Sequence, residues 1–249
     1  MKLTENFNIK GGALIIGSLL WQDHLENKNE DNIRKLWRDR HLLISHKIMV
    51  KTPIRYGRLS NSDIYTMTFS NSVAKNKMGT GYFVPFQQTP IATFNDLVNQ
   101  SKEISVAEGM KGKFIKKTKV GEIWCVLGIL INPKTVDIDK AKAIYKEWKK
   151  ILDNEGGFNS KDFKQGREKS CFDSSGKLNF DWPKALDKRD EEILNSYDFI
   201  IATGTKPTKY PNVDELEAKV QADKTRYYFI ENYKSGITTF QDFEVINKL

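Results

Sequence analysis

The chain has 249 residues, of which 39% are hydrophobic, 29% charged and 11% aromatic, with a formal net charge of +8. That length and composition fit one large folded domain, or one domain with an added subdomain, and exclude a disordered chain. No apolar run approaches the roughly 20 residues that a membrane helix needs, and residues 1–8 lack the continuous apolar core of a signal peptide, so a cytoplasmic location is expected.

The first element is a short apolar strand over 12–16 that stops at Gly17-Ser18-Leu19. Without a Cβ, Gly17 lets the backbone turn sharply and bring N–H groups up to an anion, and Ser18 adds a hydroxyl. The stretch 23–40 is polar, with a helix expected over 29–38 that turns Ile33, Leu36 and Trp37 inward. A strand is expected over 42–50. Residues 53–60 read as a turn whose Arg55, Tyr56 and Arg58 face a ligand, the arginines suited to a carboxylate. Strands follow over 63–70 and 79–86.

Thr93 is a candidate N-cap with Asp96 three residues on, opening a helix with Leu97, Gln100, Ile104 and Ala107 on one face. It runs to Glu108, where Gly109 stops it. The longest strand candidate covers 120–131 and ends at Asn132-Pro133. Beyond it, Asp137 or Asp139 caps a helix with a stripe of Ala141, Tyr145, Trp148 and Leu152. Residues 157–188 have weak periodicity and read as a long loop or an ill-ordered excursion. A strand over 196–205 repeats the opening pattern, followed by a helix over 213–222 with Leu216 and Val220 inward and a final aromatic strand over 226–230.

The fold class expected is α+β: a mixed, largely antiparallel curved sheet or small barrel with flanking helices, plus a helical C-terminal extension. Residues 1–133 form the main module and 134–249 the extension packed on it.

Chemistry-bearing residues are sparse. Cys125 and Cys171 offer neither metal-ligand spacing nor a disulfide framework. Cys125 reads as a buried thiol in a strand, and Cys171 sits in a polar, basic loop that favours its thiolate. His41 and His46 stand five apart, neither a helical nor a strand pair, and with His24 they read as ordinary surface or hydrogen-bonded histidines. Neither Gly17-Ser18 nor Gly204-Thr205 belongs to a nucleotide-binding fingerprint. No metal and no organic cofactor is expected. The lysine-rich runs 111–119 and 140–150 read as solvated faces, because no nucleic-acid motif accompanies them; specific nucleic-acid binding is not expected, and the oligomeric state is left open.

An N-terminal strand ending in Ile16-Gly17-Ser18-Leu19, followed by strands, a helix and then Glu108-Gly109, resembles the gamma-glutamylcyclotransferase-like family. The resemblance covers residues 11–133; Ile16 stands where that family carries an aromatic hydroxyl. It implies that the Gly17–Leu19 turn grips the amino-acid end of a small substrate and that Glu108 is the acid/base. The expected protein is then a small-molecule enzyme acting on an amino-acid-bearing amide. Two other readings stand beside it: a non-enzymatic ligand- or peptide-binding protein using the same pocket, and a basic nucleic-acid-associated accessory protein.

Overall fold

The structure is a computed structural model that describes residues 7–25, 32–60, 62–118 and 120–249. The expected helix start at 29–31 lies outside the described residues, as do residues 1–6. In chain order the first half gives β1 (Gly11–Ile15), α1 (Ile33–His41), β2 (Ile48–Thr52), β3 (Ile54–Leu59), β4 (Tyr65–Phe69) and β5 (Gly79–Pro85). Then come α2 (Phe94–Ala107), β6 (Ile115–Lys117), β7 (Ile123–Ile131) and α3 (Ile138–Asn154). The remainder gives β8 (Lys184–Ala185), α4 (Lys188–Leu194), β9 (Phe199–Thr205), α5 (Val213–Ala222), α6 (Tyr227–Lys234) and α7 (Asp242–Ile246).

The fold is α+β. Its seven-stranded sheet runs β6-β7-β9-β1-β5-β2-β8 and stays open, with β6 and β8 as its edges, while β3 and β4 pair as a separate hairpin. The apolar runs of β1, β7 and β9 occupy the sheet's middle, where both faces are covered, which is why they show no polar alternation. Of these contacts β1–β9 is parallel, with Ala13 opposite Ile201, and β1–β5 and β7–β9 are antiparallel. The segment 134–249 thus supplies a central strand as well as most of the helices. Because β1 and β9 run the same way, their carboxyl ends lie side by side. Such a place in a sheet commonly receives a ligand, since backbone N–H groups there are released from pairing.

Helix α2 is set by local chemistry. Thr93 Oγ1 accepts from the Asp96 N–H at 3.1 Å while Asp96 Oδ2 accepts from the Thr93 N–H at 3.1 Å, a reciprocal cap. Leu97, Gln100, Ile104 and Ala107 are buried along one face, and Gly109 leaves the helix at φ +69°. Helix α3 is capped by Asp137 and buries Ile144, Trp148 and Leu152, with the Trp148 indole N–H donating to Leu127 O at 3.2 Å.

Four expectations are corrected. Residues 53–60 are not a turn but the strand β3, because Ile54 and Tyr56 are buried where it pairs with β4. Residues 226–230 open helix α6, not a strand. The aromatic run has strand propensity, yet Phe229 and Asn232 are both buried, the helical spacing of three. The 42–50 strand is split by a 3₁₀ turn at Ile44–His46 ahead of β2. Residues 157–188 form the expected long loop, and it is packed: Phe163, Cys171, Phe172 and Leu178 are buried. Phe172 lies against Gly128 and Gly204, where a Cβ would stand 2.4 and 2.1 Å from its ring. Cys171 therefore does not sit in a polar setting; burial pushes its thiol pKa up, as it does for Cys125.

Candidate functional site

Past Ile15, the chain turns at once: Leu20 N–H donates to Gly17 O at 3.1 Å and Gln22 N–H to Ser18 O at 2.8 Å. The N–H groups of Gly17, Ser18 and Leu19 precede that turn and have no acceptor among the described residues. Three successive unpaired amides make a ready site for negative charge.

Helix α1 holds the turn with two buried arginines. Arg38 Nη1 donates to Leu19 O at 2.9 Å and to Gln22 O at 2.7 Å, and its Nη2 pairs with Asp23. Arg34 reaches further. Its Nη1 donates to Ser18 Oγ at 2.9 Å and to Gln22 Oε1, its Nε to Ala107 O at 3.2 Å, and its Nη2 to Glu108 Oε2 at 3.4 Å. One guanidinium thus ties the Gly17–Leu19 turn to the residue that ends α2. Both partners are largely shielded, the Arg34 side chain at 9% and the Glu108 side chain at 17% exposure, so their attraction is only weakly screened. The second Glu108 oxygen accepts from Thr203 Oγ1 at 2.8 Å, which fixes the carboxylate from β9.

Helix α6 closes the turn from the other side. The Tyr228 hydroxyl accepts from the Met67 N–H at 3.3 Å and stands 2.9 Å from where a Cβ on Gly17 would lie, so a side chain there would have to displace it. Burial pushes the Tyr228 hydroxyl pKa up to about 12, keeping it a neutral donor. Trp21 packs edge-on against Tyr227 and Tyr228 and donates to Asn232 Oδ1 at 2.9 Å, which secures α6 in place.

At the neighbouring end of β6 and β7, Lys116 Nζ lies 4.4 Å from the centre of the Trp124 ring and Arg58 Cζ lies 4.0 Å from it. Lys116 Nζ also stands 3.5 Å from where a Cβ on Gly109 would lie, one residue beyond Glu108.

Gly17, Ser18, Leu19 and Glu108 therefore meet in one place, with Arg58 at its margin. Arg55 and Tyr56 do not join them. The Tyr56 hydroxyl is buried at 2.8 Å from Asp242 Oδ1, and the Arg55 guanidinium lies 4.2 Å from the centre of the Tyr210 ring. Strand alternation and the bulge between Tyr56 and Arg58 separate these neighbours in space. Arg34, Thr203, Tyr228, Lys116 and Trp124 carry no sequence signal that singles them out. Depressions of about 330 and 420 Å³ lie elsewhere, one beside Lys51 and Phe240, the other beside Lys117 and Gly156; neither is lined by Glu108 or Ser18. Among the described residues no group of three or more His, Cys, Asp or Glu is placed to hold a metal, and no helix is long and apolar enough to cross a membrane.

Comparison with family models, with curated proteins and with solved structures gives no match.

Proposed function

We propose that this protein is a small-molecule enzyme of the gamma-glutamylcyclotransferase-like type that cyclises an amino-acid-bearing amide in the cytoplasm. The observation that carries this reading is Arg34, which spans from Ser18 Oγ at 2.9 Å to Glu108 Oε2 at 3.4 Å and so keeps an anion-accepting turn and a shielded carboxylate within one small substrate's reach.

The chemistry needs three things. The substrate must be folded so that its α-amine faces its own γ-carbonyl, a proximity effect worth several powers of ten. The unpaired N–H groups of the Gly17–Leu19 turn suit the α-carboxylate or the developing oxyanion. Glu108 takes the amine's proton as the new C–N bond forms and returns it to the departing nitrogen as the amide bond breaks. Atoms balance as one 5-oxoproline ring and one free amine, with protein groups alone handling the proton. Tyr228, whose neutral hydroxyl faces Gly17, takes the part of the aromatic hydroxyl that Ile16 does not supply.

The test is incubation with a panel of γ-glutamyl amides, followed by proton NMR for 5-oxoproline. Equimolar 5-oxoproline and amine are expected. A panel left unchanged overturns the enzymatic reading in favour of ligand binding at the same turn. What favours that second reading is that Arg34 spends its donors on four protein acceptors, which suits a rigid receptor as well as a catalyst.

A further inference from the structure

Strand β7 is nine residues long, Ile123–Ile131, with no charged residue and no proline. One flank of it pairs with β9 from Cys125 to Ile131. On the other flank, β6 pairs with only the stretch from Ile123 to Val126. An uncharged apolar strand with an open edge is a template on which an identical strand from another molecule can add.

Beyond β6 that outer flank is held by groups from elsewhere in the chain. Leu127 N–H donates to Phe114 O at 2.9 Å, and Leu127 O accepts the Trp148 indole N–H at 3.2 Å. Ile129 N–H donates to Gly176 O at 3.1 Å, and Ile129 O accepts the Leu178 N–H at 2.9 Å. Ile131 N–H donates to the Tyr145 hydroxyl at 3.0 Å. Strand β6 is an outer strand in its turn, and Glu155 meets it: Glu155 Oε2 accepts the Phe114 N–H at 2.8 Å and the Ile115 N–H at 2.9 Å.

Tyr145, Trp148 and Glu155 follow one another at spacings of three and seven, which places them along one face of α3 and its C-cap. Glu155 occupies the carboxyl end of that helix, where the helix dipole opposes a carboxylate. Its two backbone donors on β6 offset that cost, and among the described residues its side chain has no other partner.

We propose that this face of α3 is an autoinhibitory clasp, occupying the edge at which β6 and β7 would otherwise pair with a second copy of this chain. The partner is a second copy because an uncharged strand of this kind is best matched by its own sequence. The inference does not rest on the proposed reaction.

The test is Glu155→Ala, which removes the acceptor from both N–H groups, followed by sedimentation velocity at about 0.15 M salt, where repulsion between basic molecules is largely screened. The weight-average mass of the variant is expected to at least double between about 1 and 100 µM, while that of the wild-type protein stays constant. Amide hydrogen exchange at Phe114 and Ile115 is expected to be faster than wild type in the dilute variant and slower in the concentrated one, which places the contact at this edge. Tyr145→Phe keeps the ring and frees only the Ile131 N–H, so a weaker form of the same association is expected. Glu155→Gln retains an acceptor oxygen and is expected to behave as wild type. Val245→Ala opens a cavity in α7 instead; brought to the same folded fraction with urea, it is expected not to associate. A mass independent of concentration in both folded Glu155→Ala and Tyr145→Phe overturns the proposal. So does an equal rise in the wild-type protein, in Glu155→Gln or in Val245→Ala.

Discussion

Arg34→Met is expected to cost about 3 kcal/mol of folding stability, the range seen when one partner of a shielded ion pair is removed. The side chain keeps its length and apolar stem, so the loss falls on the head group. Four acceptors lose their donor together: Ser18 Oγ, Gln22 Oε1, Ala107 O and Glu108 Oε2. The carboxylate keeps only its Thr203 bond and stands shielded beside an unbraced turn. Arg34→Lys restores charge but not the planar fork, and a single ammonium does not reach the same spread of acceptors; it is expected to recover less than half of the loss. Denaturant midpoints at unchanged m-value are the measurement. A change below about 1 kcal/mol would mean that the turn and α2 are held by packing alone, since surface-like ion pairs contribute no more than that.

Gly12→Ala is expected to be the most damaging single methyl group in the chain. A Cβ at Gly12 would stand 2.2 Å from Val84 O and 2.8 Å from Val84 C, which are backbone atoms of the paired strand β5 and have no rotamer to retreat to. Relief requires β1 and β5 to separate in the middle of the sheet. Overpacking typically costs 1–3 kcal/mol, and a backbone collision belongs at about 3 kcal/mol or above. Against a total stability of about 5–15 kcal/mol, that is enough to cut soluble yield and to lower the thermal midpoint by several degrees. Gly204→Ala is the comparison: its Cβ meets the Phe172 ring at 2.1 Å, a side chain that can rotate or shift, so a smaller loss is expected. Equal losses in the two variants would mean that the collision with the Val84 backbone costs no more than one with the Phe172 ring.

Legibility in the sequence follows the range of the interaction. The Gly17-Ser18 stop after β1 and the Thr93–Asp96 cap of α2 are local, each fixed within four residues, and each is visible as a string of letters. The end of α2 at Glu108-Gly109 belongs to the same class. Helix α1 shows the opposite case. Apolar periodicity turns Ile33, Leu36 and Trp37 inward, yet Leu36 is 43% exposed while Arg34 and Arg38 are buried with Trp37. The helix is rotated because its arginines serve carbonyls of the 18–23 turn, and nothing in the periodicity of a helix records what waits at the far end of a guanidinium. Thr203 and Tyr228 were out of reach for the same reason: they meet Glu108 and Gly17 across nearly a hundred residues or more of chain, through the parallel pairing of β9 with β1 and the packing of α6. Arg55 and Tyr56 illustrate the reverse error, in which neighbours in sequence with Arg58 look like one ligand-facing cluster but are sent to separate sides by the strand they occupy.

The most direct measurement compares 5-oxoproline release from one γ-glutamyl amide by the wild-type protein and by Glu108→Gln, with amide affinity measured on the same samples. Glutamine still accepts the Thr203 bond and still fills the space beside Arg34, but it cannot take and return a proton. Turnover is expected to fall by about 10²- to 10⁴-fold, the usual contribution of a positioned acid/base, while the amide's dissociation constant changes only a few-fold. Turnover undiminished in Glu108→Gln, or none in the wild-type protein despite saturable amide binding, would contradict Glu108 as the proton-transfer group of a cyclising enzyme.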